Sequence, residues 1–95
     1  MASIQSADTQ EEKSYFFKKR ILIVDDESDI TTSFKLGLEK YGFRVSTYND
    51  PVLALSEFKA GLYDLLLADV RMPGMSGLEL YEKIKQIDNR IEDAL

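Results

Sequence analysis

The residues able to do chemistry in this chain are aspartates. Asp25 and Asp26 stand side by side at the end of an apolar run, Ile21-Leu22-Ile23-Val24, and Asp69 ends a second run, Leu65-Leu66-Leu67-Ala68. Behind Asp69 come Met72-Pro73-Gly74 and then Gly77, which impose a shaped loop instead of an immediate helix. A lone Asp in such a place ordinarily caps a strand-to-helix turn. Two neighbouring acids at the end of a buried strand are different, because they repel each other and call for a compensating cation. The 95 residues include no His and no Cys. Imidazole bases, Ser-His triads, His-ligated zinc, thiolate metal sites and disulfides are therefore excluded. What remains is carboxylate, Lys, Arg, Tyr and hydroxyl chemistry, or a hard cation held through oxygen.

The elements that must position these acids alternate along the chain. Ile21 to Val24 is β-branched and apolar throughout, which predicts a central strand. A helix is expected over roughly Asp29 to Tyr41, with Ile30, Phe34, Leu38 and Tyr41 along one face and Gly42 stopping it. Ser28 or Asp29 can cap that helix, so Asp25 and Asp26 are not needed there. Phe43 to Tyr48 alternates apolar with polar and reads as a half-exposed edge strand. Asp50-Pro51 then supplies a cap and a first-turn proline. The helix they open runs to about Ala60, buries Ala54, Leu55 and Phe58, and ends at Gly61.

Asp64 to Ala68 has no polar residue on either face once past its first position, as expected for a strand covered on both sides. Ser76 and Glu79 form a capping box, after which Leu80, Ile84, Ile87 and Ile91 continue a helical stripe. Lys83 and Lys85 on that helix are expected to face water. Strand-helix alternation of this kind implies a parallel sheet with helices on both faces and right-handed crossovers. The alternating strand belongs at an edge and the two apolar strands inside, so the spatial order is second, first, third. That order brings Asp25, Asp26 and Asp69 to one crevice at the carboxyl ends of adjacent strands, where open α/β sheets bind ligands. Three such anions suit magnesium, which accepts one or two carboxylates and keeps several waters. Carboxylates also accept phosphoryl groups covalently, and a magnesium ion beside Asp69 would neutralise phosphoryl oxygens. The constellation is thus suited to forming an aspartyl phosphate.

Net charge is −5, which argues against a nucleic-acid footprint on this segment. No apolar stretch approaches membrane-spanning length. The absence of Cys fits the cytoplasm. Residues 1–19 read as a disordered or loosely packed leader, with Tyr15-Phe16-Phe17 against the domain edge and Lys18-Lys19-Arg20 as a solvated lead-in. Residues 20–95 form the domain.

The matching pieces Ile21 to Glu27 (ILIVDDE), Asp29 to Phe43, and Tyr63 to Leu80 (YDLLLADVRMPGMSGLEL) resemble the receiver domain of two-component response regulators. The resemblance covers about Arg20 to Asn89 and implies a flavodoxin-like (CheY-like) doubly wound parallel α/β sheet, a layout that itself illustrates the switch-point rule. It further implies that Asp69 is the phosphoacceptor, taking a phosphoryl group from a phosphohistidine on a sensor histidine kinase or phosphotransfer protein. Asp26 and Asp69 would bind Mg2+ directly, Asp25 directly or through water, and the backbone carbonyl of Arg71 would complete the protein ligands. Met72 to Gly77 would shape the loop over the site. Such a module accepts one phosphoryl group per chain and is not a turnover enzyme.

Receivers resemble five strand-helix units, and three are legible here, in the order 2-1-3, with no fourth-strand hydroxyl residue and no fifth-strand lysine. A truncated, marginally stable product with slow or absent phosphorylation is therefore expected. Its third strand would present an apolar edge that invites self-association. Glu92 to Leu95 reads as acidic and helix-tolerant rather than as a fourth strand. The alternative is a phosphorylation-independent protein-interaction module. An Asp-nucleophile phosphatase of the DxDxT kind is disfavoured, since Glu27-Ser28 follow Asp25-Asp26, and no G-x-G-x-x-G follows the first strand.

Overall fold

Strand β1 (Arg20–Val24) lies between β2 (Arg44–Tyr48) and β3 (Leu65–Ala68), and a two-residue β4 (Glu92–Asp93) pairs outside β3. The computed structural model describes residues 19–93; the expected leader up to Lys18, with its aromatic trio, lies outside the described residues. All strand pairs are parallel, in the order β2-β1-β3-β4. Successive side chains of a strand alternate between faces. Leu22 and Val24, with Leu66, pack against Ala54 and Phe58 from the region of α2 (Pro51–Glu57) and Leu80 and Ile84 of α3 (Gly77–Ile87). Ile21 and Ile23, with Val45, face the other way, toward Leu38 of α1 (Ser28–Glu39), and Phe43, Leu65 and Leu67 join them. Burial of β1 on both faces explains why Ile21 to Val24 contains no polar residue.

The edge position of β2 and the order second, first, third agree with the sequence reading. So do the caps of α2 and α3. Asp50 accepts the Val52 N–H at 2.9 Å, and Ser76 Oγ accepts the Glu79 N–H at 3.1 Å. Gly42 follows α1 with φ of 92°, a left-handed conformation that suits glycine.

Several expectations need correction. The α1 stripe is only partly core, for Phe34 is 53% and Tyr41 77% exposed while polar Thr31 is 2% exposed. The helix packs over β1 and β2, so residues turned toward β3 border an open cleft. Neither Ser28 nor Asp29 caps it; Glu27 stands at the cap without a side-chain bond. Only Leu66 of β3 is fully buried, and Leu65 and Leu67 are half-buried. The outer edge of β3 is not bare along its length, because Glu92 and Asp93 pair with Leu65 and Leu66.

The helical stripe does not reach Ile91. The Asp88 carboxylate accepts the N–H groups of Gly61 at 2.8 Å and Arg90 at 3.1 Å. Those bonds offer the backbone a turn in place of another helical residue. Ile91 is then fully buried from a loop position, and Ile87 stays exposed. Lys85 does not simply face water: its Nζ donates to the Ile91 carbonyl at 2.8 Å and sits 5.7 Å from the Tyr81 ring centroid. Arg20 is likewise no solvated lead-in. It opens β1, its N–H donates to Asp64 Oδ2 at 2.8 Å, and its guanidinium reaches Asp64 Oδ1 at 3.4 Å and the Gly61 carbonyl at 2.6 Å.

Candidate functional site

The register of the two central strands sets the site. Val24 is paired with Ala68, so the next residue on each strand, Asp25 and Asp69, emerges at the same carboxyl rim. The Asp69 N–H donates to the Val24 carbonyl at 3.0 Å, and the Asp25 N–H donates to the Tyr48 carbonyl at 3.1 Å. Both aspartates therefore leave the sheet with their backbones still tied to it. They line one cleft of about 160 Å³ together with Ile23, Leu67, Ile30 and Phe34.

Beside this cleft the β1–α1 loop gathers acid. Carboxylate oxygens of Asp25, Asp26 and Glu27 lie within 4.8 Å of one another. Asp25 Oδ1 accepts the Glu27 N–H at 2.9 Å, which folds the loop back on itself. Asp25, not needed as a cap in the sequence reading, therefore does bind a backbone group at the helix entry. Asp26 and Glu27 are exposed. Asp69 does not join this set of mutually close oxygens; its Oδ1 accepts the Arg71 N–H at 3.2 Å, within its own loop. Glu27, which the sequence reading did not single out, thus stands with Asp25 and Asp26 in one acidic cluster. The donors are all oxygen, and the charge is anionic, which fits a hard cation and no soft one.

The loop after Asp69 is anchored from beneath. Met72 and Met75 pack against the core on the α2 and α3 side, while Pro73 and Gly74 remain exposed. Gly77 donates its N–H to the Val70 carbonyl at 3.1 Å. It also passes so close to the Asp69 carbonyl that a Cβ there would collide with the Asp69 oxygen and lie 2.8 Å from its carbonyl carbon. A glycine is required by that approach and not by its φ.

The family profile described as "Response regulator receiver domain" matches residues 21–92. Among curated proteins, DctD of Rhizobium meliloti, a C4-dicarboxylate transport transcriptional regulatory protein, is 35% identical over 72% of this chain and 15% of its own length. The response regulator receiver protein CpdR of Brucella abortus is 34% identical over 74% of this chain and 58% of its own. The first of the curated relatives thus extend well beyond the stretch that this chain spans. In structure, a chain from the complex of the histidine kinase ThkA with the response regulator TrrA superposes with a TM-score of 0.71 at 39% identity, over 79% of this chain and 65% of that one. TrrA of Thermotoga maritima in complex with Mg2+-BeF gives 0.66 at 43% identity, over 72% and 59%. Strand order, the two-faced core and the paired rim of aspartates thus meet in one conclusion: the chain belongs to the receiver-domain family of two-component response regulators.

Proposed function

We propose that Asp69 accepts a phosphoryl group from a histidine kinase or phosphotransfer protein, with Mg2+ held by Asp25, Asp26, Asp69 and the Arg71 carbonyl. The observation that carries the reading is the parallel register of β1 and β3, which sets Asp25 and Asp69 on one cleft. The likeness to TrrA with bound Mg2+-BeF and to the ThkA–TrrA complex supports the ion and the donor class. Bound there, a magnesium ion would offset the charge of the phosphoryl oxygens.

The chain's own residues do the rest. Asp69 Oδ1 is engaged by the Arg71 N–H, which leaves Oδ2 as the attacking oxygen. A bond forms from Oδ2 to phosphorus as the phosphorus–nitrogen bond of the donor breaks, and the leaving imidazole takes the electron pair and a proton. Gly77 keeps the Asp69 backbone in place by leaving room for its carbonyl.

Incubation with Mg2+ and phosphoramidate, followed by mass spectrometry, tests this. One phosphoryl mass per chain, released by hydroxylamine and absent in Asp69→Asn, is the expected result. Label that persists in Asp69→Asn would show the acceptor to be another residue. Complete absence of label favours the second reading, a phosphorylation-independent interaction module, which the exposed Ile30 and Phe34 beside the cleft support.

A further inference from the structure

We infer that Asn49 is a positioning residue of the acidic site, its side-chain amide holding the peptide between Asp25 and Asp26 with one proton and anchoring on Thr31 with the other. The inference rests on the magnesium and phosphoacceptor reading above. Asn49 is the first residue after the edge strand β2, and its Nδ2 donates to the Asp25 carbonyl at 2.8 Å. The same nitrogen lies 3.1 Å from Thr31 Oγ1. An amide nitrogen carries two protons, so it can serve both acceptors at once. The Thr31 hydroxyl in turn donates to the Ser28 carbonyl at 3.0 Å in the first turn of α1.

The consequence is geometric. The peptide entering Asp25 is held by its N–H on the Tyr48 carbonyl, and the peptide leaving it is held by its oxygen on Asn49. Peptide units are planar, so fixing one atom of each restrains both backbone torsions of Asp25. The direction in which the Asp26 side chain leaves the rim follows from the second plane. The exit of β2 therefore aims both acids of the loop while contributing no ligand. Thr31, buried at 2% exposure, gives this clamp a fixed footing. No apolar residue and no carboxylate at position 49 could donate two such bonds. Asn49 itself is exposed, so its removal opens no cavity in either core. Loss of Asn49 should accordingly show in metal affinity before it shows in stability.

The test is a magnesium titration by calorimetry of the whole chain, paired with metal-free thermal unfolding, for Asn49→Ala, Thr31→Val, Thr31→Ser and the double Asn49→Ala/Thr31→Val. Asn49→Ala should weaken magnesium binding about tenfold, as outer partners of metal sites do, with the metal-free melting temperature nearly unchanged. Thr31→Ser should bind as the parent does. Because the two residues act as one unit, the double variant should bind no worse than Asn49→Ala alone. Parent-like affinity in Asn49→Ala would overturn the inference. So would a loss of affinity matched by an equal loss of metal-free stability, because that marks a residue of the fold. A parent chain that binds no magnesium overturns the functional reading itself, and Asn49 falls with it.

Discussion

Two glycine-to-alanine substitutions, at positions 37 and 77, should move stability in opposite directions. Gly37 lies inside α1, and a Cβ built there meets nothing within 4 Å. Alanine at an open helix-interior site removes the conformational freedom that glycine brings to the unfolded chain and stabilises by about 0.5–1 kcal/mol. Gly77 opens α3, where the same propensity gain would apply. A Cβ at 77, however, collides with the Asp69 carbonyl oxygen, sits 2.8 Å from the Asp69 carbonyl carbon and 3.3 Å from the Ala68 oxygen. These are backbone atoms of a strand end bonded to β1, so they cannot rotate aside as a side chain would.

Overpacking against rigid neighbours costs about 1–3 kcal/mol, and here the upper half of that range applies. Less the propensity gain, Gly77→Ala should destabilise by about 1–2.5 kcal/mol. In a domain of this size that lowers the melting temperature by roughly 4–20 °C. Gly37→Ala should raise it by a few degrees. The displaced atoms belong to the acceptor residue, so phosphoramidate labelling of folded Gly77→Ala should slow by at least about tenfold, the scale of a misplaced reacting group. Circular dichroism melts and timed mass spectrometry read the two effects. A Gly77→Ala chain as stable as the parent, labelled at the parent rate, would refute the close approach and the role given to it.

Three other outcomes are expected. Magnesium at 100 times its dissociation constant should stabilise the folded chain by about 2.7 kcal/mol, and Asp26→Ala should erase that rise in a thermal melt. Burial resists ionisation of Asp64, but the bonds from Arg20 outweigh it and hold the carboxyl below its ordinary value. A depressed folded-state value means that the stability from this pair is present above the unfolded-state pKa and is lost as pH falls through the folded one. Asp64→Asn should therefore flatten the acid limb of a melting-temperature profile below about pH 4, and an unchanged limb would discount the Arg20–Asp64 pair. The hydrogen bond from Tyr48 to Glu57, 2.7 Å long, with some help from burial, pushes the phenol up to about 12. Stability from that bond is complete below the unfolded tyrosine value and fades as pH rises toward 12. Spectrophotometric titration of Glu57→Gln should show one tyrosine returning toward the ordinary range.

Much of the fold is readable in the chain because local chemistry and tertiary demand agree there. Ile21 to Val24 is apolar at every position because both faces of β1 are covered, and no other placement of such a run is cheap in water. Asp50 before Pro51 and Ser76 before Glu79 mark helix starts because the bonds they make span only two or three residues. Asp25 and Asp69 could be assigned to one rim because strand order follows from which runs need covering.

Contacts between distant segments are decided only by the tertiary structure. Ile91 carries the period of α3, yet Asp88 takes two backbone amides, ends the helix and sends Ile91 into the core from a loop. The Glu92–Asp93 strand has no β-forming character of its own and exists through its pairing with Leu65 and Leu66. Phe34 looks like core on a helical wheel but stays half-exposed, since burial depends on what stands opposite and not on periodicity. Asn49 carries no signal in sequence at all. Its two acceptors come from residues 24 and 18 positions earlier, and only the parallel pairing of β2 with β1 brings them within reach of one amide nitrogen.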